Sequence, residues 1–428
     1  MSSFKKRKHA DSGTDDEAAA ENDDGTSTVK TLRYVEFYSG IGGWTMALEA
    51  AIKCLGTTIQ LERLASLDHS DLCNRVFEHN FGPCCSKNKT SFSIERLSLQ
   101  QMEVWAADIL VMSPPCQPHT RQHSNQEQDL SDPRSASFLH ICDLLEQMKR
   151  LPSLLFLENV VGFETSNSFT KWLQVLQKRD YHVGHFQLTP TQVGLPNDRP
   201  RYYCVAILRS VLRTDDSNEN PHSSLQKYVA AVNDLPSSKS TESSPTCHVW
   251  KAVPDLHVLP ESSQDDTTIK PISYFLDKDV KQTMNELVVP PKVLHNTAAW
   301  CFDIVSPKDR RSACFTHSYG RYIKGTGSIL YDVDVEGDGA RAKDIPIALP
   351  VLQDPATREY DRDWMKDLDP TRLRYFSGEE LAKLFGFSDK FTFPPKTSLK
   401  QQWKLMGNSL NVGVASCLVV LGLLLREQ

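Results

Sequence analysis

Apolar residues along the 428-residue chain fall into short runs separated by stretches of helical period. Six runs read as strands: Arg33–Tyr38, Leu64–Asp68, Asp108–Met112, Leu154–Leu157, His182–Leu188 and Tyr202–Leu208. Their shortness and their turn-residue flanks favour buried strands over helices. Helical patterns lie between most of them, such as Trp44–Leu55, Ser135–Lys149 and Ser168–Arg179. From Thr31 to about Leu208 this alternation predicts an α/β fold, a mostly parallel sheet with helices on both faces. The texture then changes. Residues from about 210 to 270 are rich in Ser, Asp, Glu, Asn and Pro, which predicts a flexible insertion. Pattern resumes near Ile272 and stays mixed to about residue 395, with an acidic loop around Asp332–Asp344. Leu373–Gly386 reads as a helix with Phe376, Leu381, Leu384 and Phe385 on its apolar side. The apolar run Val412–Leu425 is short for a membrane span and predicts a core helix. Residues 1 to about 30 show no apolar period and read as a disordered tail. No internal repeat is visible.

Composition narrows this picture only a little. The formal net charge of −6 argues mildly against a protein that holds nucleic acid by bulk electrostatics, without excluding one whose basic residues are well placed. The 11 cysteines show no CxxC pair and no zinc-like Cys/His array, so no metal site is expected. Their odd number, with no signal peptide, fits a reduced intracellular compartment and a cytoplasmic protein. Lys5-Lys6-Arg7-Lys8 is a candidate nuclear import signal.

Candidate chemistry gathers at strand ends. Tyr34–Tyr38 runs into Ser39-Gly40-Ile41-Gly42-Gly43 and then a helix. Glycines permit positive φ and close backbone approach, and a helix start offers free N–H groups. This is not the GxGxxG of a dinucleotide fold, because position 45 is Thr. Asp68 ends the next strand, where a carboxylate can bind ribose hydroxyls. The two together point to an adenosine-type cofactor; each alone also reads as a tight turn or a solvated strand-end acid. Asp108–Met112 leads into Ser113-Pro114-Pro115-Cys116-Gln117, a thiol behind two rigid residues. Most free cysteines are small buried hydrophobes. Glu158, however, ends the strand that begins at Leu154, at the same carboxyl edge. A thiol and a partly buried carboxyl facing one crevice suit attack on an electron-poor ring. In Asn197-Asp198-Arg199-Pro200-Arg201, the two arginines point the same way. They can stabilise a thiolate, hold Glu158, or grip a phosphate or base carbonyl.

Taken in order, Phe37–Gly43, Pro114-Pro115-Cys116-Gln117, Glu158-Asn159-Val160, the arginine pair and Gly407-Asn408-Ser409-Leu410-Asn411-Val412 resemble the cytosine-C5 methyltransferases. Within them, Cys314-Phe315-Thr316, Tyr319, Arg321 and Gly325-Thr326-Gly327-Ser328 look like the tRNA-aspartate branch, the DNA methyltransferase homologue 2 family. The resemblance implies a class I S-adenosyl-L-methionine-dependent methyltransferase with a smaller target recognition domain. The expected division is a tail (1–30), a catalytic domain (31–209), the insertion (210–270), the target domain (271–395) and a closing segment (396–428). The last motif should return to pack beside the first.

Carried over position by position, Cys116 is similar to the family nucleophile and Glu158 to its general acid, with Arg199 and Arg201 as the supporting pair. Ile41, Gly42, Gly43, Asp68, Ile94, Glu95, Ser113 and Ser409 match cofactor contacts. The implied reaction is methylation of cytosine 38 in a tRNA anticodon loop, most simply of tRNA-Asp. The residues alone do not choose RNA over DNA. A DNA methyltransferase of the same chemistry, and a weakly active nucleic-acid-binding protein of the same fold, stay open. His119 stands where Phe is more usual, and the polar stretch Ser124–Asp132 is a candidate lid.

Overall fold

The computed structural model describes residues 30–83, 93–115, 135–212, 269–277, 284–296, 299–332, 352–354, 359–360 and 369–426. Cys116, His119, the stretch 124–132, the tail before residue 30, most of the insertion (213–268) and most of the acidic loop (333–344) lie outside them.

Six strands form one sheet: β1 (Thr31–Phe37), β2 (Gln60–Leu67), β3 (Ile109–Met112), β4 (Leu154–Val160), β5 (Tyr181–Leu188) and β6 (Arg201–Leu208), in the order β2-β1-β3-β4-β6-β5. The pairings β1–β2, β1–β3 and β3–β4 are parallel, whereas β6 is antiparallel to both neighbours, so it alone runs against the rest. Each strand expected from the sequence is present, most of them slightly longer. The sheet changes winding direction between β1 and β3. A crevice therefore opens there, outside the carboxyl ends of the strands.

Strand parity explains why the sheet is covered on both sides. Side chains along a strand alternate between faces. Leu32, Tyr34, Ile109, Val111, Leu154, Phe156, Tyr203 and Val205 enter one core. Val35, Phe37, Leu110, Met112, Leu155, Leu157, Tyr202 and Cys204 enter the other. Helices α2 (Ala136–Gln147) and α3 (Asn167–Lys178) cover the second face, with Phe138, Ile141 and Trp172 in its core. α1 (Gly43–Leu55) and the C-terminal helix Val412–Leu425 cover the first and pack on each other. The stretch Leu399–Leu425 is apolar and long enough to cross a membrane, yet 78% of its most apolar window is buried inside the fold. At Gly422 a Cβ would lie 2.7 Å from the Phe156 ring, so helix and sheet touch closely there. Val412–Leu425 is thus a core helix.

Beyond the sheet, Asp303–Val305, Ser328–Tyr331 and Leu373–Arg374 form a small three-stranded sheet. The structure corrects the helix expected over Leu373–Gly386. Leu373 and Arg374 pair with Tyr331 and Leu330, and the helix spans only Gly378–Leu384. Ser377 sets the start: its hydroxyl accepts from the Glu380 N–H while Glu380 returns a carboxyl oxygen to the Ser377 N–H. That reciprocal cap ends the helix on its N-terminal side. Apolar residues of a strand and of the following helix had merged into one apparent period.

Candidate active site

The glycine turn follows from the end of β1. Gly40 and Gly42 adopt left-handed φ of 53° and 90°. Gly42 has no alternative, since a Cβ there would sit 2.2 Å from the Phe81 ring. The Ser39 N–H donates to Leu67 O (3.0 Å) and the Gly40 N–H to Asp68 Oδ2 (2.9 Å), which ties the turn to the end of β2. Asp68 Oδ1 accepts from the Ser70 N–H (2.8 Å). Under the turn lies Glu36, fully buried on β1. Its carboxyl accepts from the Trp44 and Thr45 N–H groups, each at 3.2 Å, and from the Thr45 hydroxyl at 2.6 Å. It thus occupies the positive end of α1. Burial still outweighs these donors and pushes its pKa up to about 7.

Glu158 sits on β4, level with Tyr203 of β6 and one residue beyond the Met112–Leu157 pairing with β3. It is 8% exposed. Burial raises its pKa; the guanidinium groups of Arg201 and Arg199 and the Ser113 hydroxyl oppose that rise. Arg201 Nε lies 3.6 Å from Glu158 Oε1. The next residue fastens the approach to the nucleophile motif, as Asn159 Nδ2 donates to Pro114 O at 3.2 Å. The end of β3 that leads into Pro114-Pro115 therefore lies beside the carboxyl, with Cys116 outside the described residues.

Arg199 and Arg201 both approach the Cys314 sulfur, at 3.5 and 3.9 Å, but differ in their other partners. Arg199 is 3% exposed and donates to three carbonyls: Phe315 O (2.7 Å), Gly407 O (3.0 Å) and Ser409 O (2.7 Å). It joins the loop after Arg311 to the turn before the C-terminal helix, whereas Arg201 serves the acid. That turn also reaches the first motif: a Cβ on Gly43 would lie 2.8 Å from Leu410 Cγ. The Gly407–Leu410 segment therefore packs beside the glycine turn.

These elements match one family along nearly the whole chain. A family model for C-5 cytosine-specific DNA methylases matches residues 32–419. The chain belongs to that family. It is similar to the human tRNA (cytosine(38)-C(5))-methyltransferase, with 34% identity over 91% of this chain and 99% of the relative. A Dictyostelium discoideum relative, a DNA (cytosine-5)-methyltransferase, is 32% identical over 91% of this chain and 93% of its own length. Among solved structures, that of the Schizosaccharomyces pombe Dnmt2 methyltransferase superposes with a TM-score of 0.64 at 26% identity, covering 92% of this chain and 98% of that one. The fold is that of a class I S-adenosylmethionine-dependent methyltransferase, and the chain is an enzyme of methyl transfer to cytosine.

Several expected cofactor residues gather at one end of the sheet. Ile41, Gly42, Gly43 and Asp68 line the turn, with Ser113 one strand away. The Ile41 side chain is buried in the core, so its main chain alone can meet a ligand. Glu95 lies in the short turn Ile94–Arg96, where its carboxyl feels the charges of His69 and His140 and accepts from Ser93. Ile94 is buried in the second core. Ser409 offers its carbonyl to Arg199 and directs its hydroxyl to Leu410 O at 3.2 Å. The turn fits a bound cofactor: among the described residues, a Cβ at Gly40 would meet nothing within 4 Å, and the neighbouring Ser39 hydroxyl is buried without a partner. Sequence reasoning missed Glu36 and Trp44. The signal for Glu36 was available, a lone acid inside an apolar strand directly before a glycine turn.

Proposed function

We propose that this chain methylates carbon 5 of cytosine 38 in the anticodon loop of a tRNA, tRNA-Asp first among them, with S-adenosylmethionine as methyl donor. The observation that carries the reading is the Glu158 carboxyl. It is buried at the carboxyl edge, kept more protonated than an ordinary glutamate, and fastened beside the strand that leads to Pro114-Pro115-Cys116. Such a group can hold a proton toward a ring nitrogen while a nucleophile adds to the ring. The RNA substrate is supported by the name of the human relative.

In this reading Asp68, Glu95, Ser113 and the main chain of Ile41–Gly43 hold the cofactor. The cofactor supplies an electrophilic methyl group. The target base leaves its stack at a cost of a few kcal/mol, smallest in an unpaired loop. The Cys116 thiolate forms a bond to cytosine C6, and Glu158 shares a proton with N3 as charge builds there. Arg201 limits how far the Glu158 carboxyl rises, so the proton stays transferable. After methyl transfer to C5, loss of the C5 proton to a base restores the double bond and the sulfur leaves. A thiol of ordinary pKa, about 8.5, is mostly protonated at neutral pH, so positive charge near the pocket favours the attacking form. Arg199 and Arg201 are the described sources of it.

The test is bisulfite sequencing of tRNA after incubation with protein and S-adenosylmethionine. Protection at cytosine 38, lost in Cys116→Ala, is the expected outcome. The second reading, DNA methylation, draws on the name of the Dictyostelium relative. Labelled methyl groups appearing in duplex DNA and not in tRNA would favour it and overturn the first.

A further inference from the structure

We propose that Trp44 is a positioning residue for the Glu158 carboxyl and acts through the Ser113 hydroxyl. The inference rests on the reading of Glu158 as the acid of the reaction and adds to it the element that aims it.

Strand parity puts the parts together. Ser113, Glu158 and Arg201 have the parity of the sheet residues Val111, Phe156 and Tyr203, all in the core under α1 and the C-terminal helix. Trp44 enters the same core from the first turn of α1, 1% exposed, its ring centroid 5.9 Å from that of Phe156. Both of its N–H groups are engaged. The main-chain N–H goes to Glu36 at 3.2 Å, and the indole Nε1–H donates to Ser113 Oγ at 3.0 Å.

The chemistry of the two side chains gives this contact a direction. An indole N–H can only donate, whereas a hydroxyl has one proton and two lone pairs. Ser113 must therefore accept from Trp44, which leaves its own proton for another group. The Glu158 carboxyl is that group: it lies next along the β3–β4 ladder and interacts with the Ser113 side chain. Donation into Ser113 also polarises its O–H and strengthens the second bond. Among the described residues, the other groups facing the carboxyl are Arg201 and Tyr203 from β6 and Arg199 from the segment before it. Trp44 follows Gly43 directly, so the element that shapes the cofactor turn also holds the acid. A serine without the indole would be free to rotate toward either neighbour.

The experiment is the pH dependence of single-turnover methylation of a tRNA transcript at saturating cofactor. Wild type, Trp44→Phe, Ser113→Ala, the double variant and Glu158→Gln are compared. Loss of a donor raises the pKa of a carboxyl. The limb of the profile that disappears in Glu158→Gln should move to higher pH in Trp44→Phe, by about half a unit to one unit. Ser113→Ala should move it at least as far. The double variant should match Ser113→Ala alone, because both substitutions break the same path. Should Trp44→Phe fail to fold, benzothienylalanine at position 44 keeps the ring shape, lacks the N–H, and should give the same shift. A superimposable profile in a folded Trp44 variant, or fully additive shifts in the double variant, overturns the proposal. Undiminished turnover by Glu158→Gln would instead overturn the role assigned to Glu158.

Discussion

Two buried arginine–glutamate pairs in this molecule have opposite designs. In the smaller half, Arg374 (1% exposed) and Glu380 (fully buried) make two parallel contacts of 2.8 Å. Every edge of the pair is also occupied. Arg374 donates to Asp332 at 3.0 Å and to Tyr375 O at 3.1 Å, and Glu380 accepts from the Ser377 and Asp277 N–H groups at 2.9 and 3.2 Å. Fork-to-fork geometry of this kind is strong and specific. At the sheet edge, Arg201 and Glu158 share one contact of 3.6 Å, and the Ser113 hydroxyl is the carboxyl's described hydrogen-bond partner. The closed pair holds a strand to a helix. The open pair leaves a buried carboxyl held above the usual glutamate range, as the role proposed for Glu158 requires. Burial alone therefore does not tell the two carboxyls apart; the number of described donors committed to each does.

Removing one partner of each pair has the largest expected effects. Arg374→Met strands Glu380 in the interior, and the loss of stability should be about 3–5 kcal/mol, read by urea denaturation. Glu158→Gln should lower single-turnover methylation by about 10²- to 10⁴-fold. Its stability above neutral pH should hold or rise, because a carboxyl whose folded pKa is raised weakens the fold once ionised. If Glu158→Gln destabilises the protein as Arg374→Met does, the distinction between the two designs is wrong.

Glu36 sharpens the contrast from a third position. Like Glu380 it is surrounded by donors, but none of them is a paired guanidinium, and its pKa rises to about 7. An acid bound more tightly to its proton in the folded state loses stability as pH increases. Nothing is lost below the unfolded value, and the loss is complete above the folded one. Between about pH 4.5 and pH 7, the stability of wild type relative to Glu36→Gln should therefore fall by about 3 kcal/mol. Denaturation curves at several pH values measure it. A difference that stays flat across that window removes Glu36 from the account.

The sheet was readable because its strands are short apolar runs set between helical patterns, and their ends drew attention to Glu158, the glycine turn and the Asp68 carboxyl. What escaped depends on register and on distant chain segments. The Trp44–Ser113 contact joins residues 69 apart and needs the parities of β3 and β4 together with the entry angle of α1. The partners of Arg199 lie up to 210 positions away, so no local pattern could divide its work from that of Arg201. The helix misjudged at Leu373 failed for a related reason. Val289 N–H donates to Leu373 O and Tyr375 N–H to Leu287 O, tertiary pairings that hold those residues extended. The resemblance gave the family, which periodicity could not, but it did not single out Trp44.

A third pair sets the lower end of the scale. Arg33 and Glu62 face each other across β1 and β2 at 3.4 Å, closer than Arg201 and Glu158, with side chains 33% and 56% exposed. Distance alone would rank this pair above the one at the sheet edge. Exposure reverses the ranking, since water and salt screen the attraction and ordering two long side chains costs entropy. Glu62→Gln should change stability by less than about 0.5 kcal/mol and leave methylation at the wild-type rate. Raising the salt concentration should erase even that change while leaving the Arg374→Met defect intact. A large effect at Glu62 would mean that contact length, not solvent exclusion and committed donors, sets the worth of an ion pair in this fold, and the different roles assigned to Glu380 and Glu158 would lose their basis.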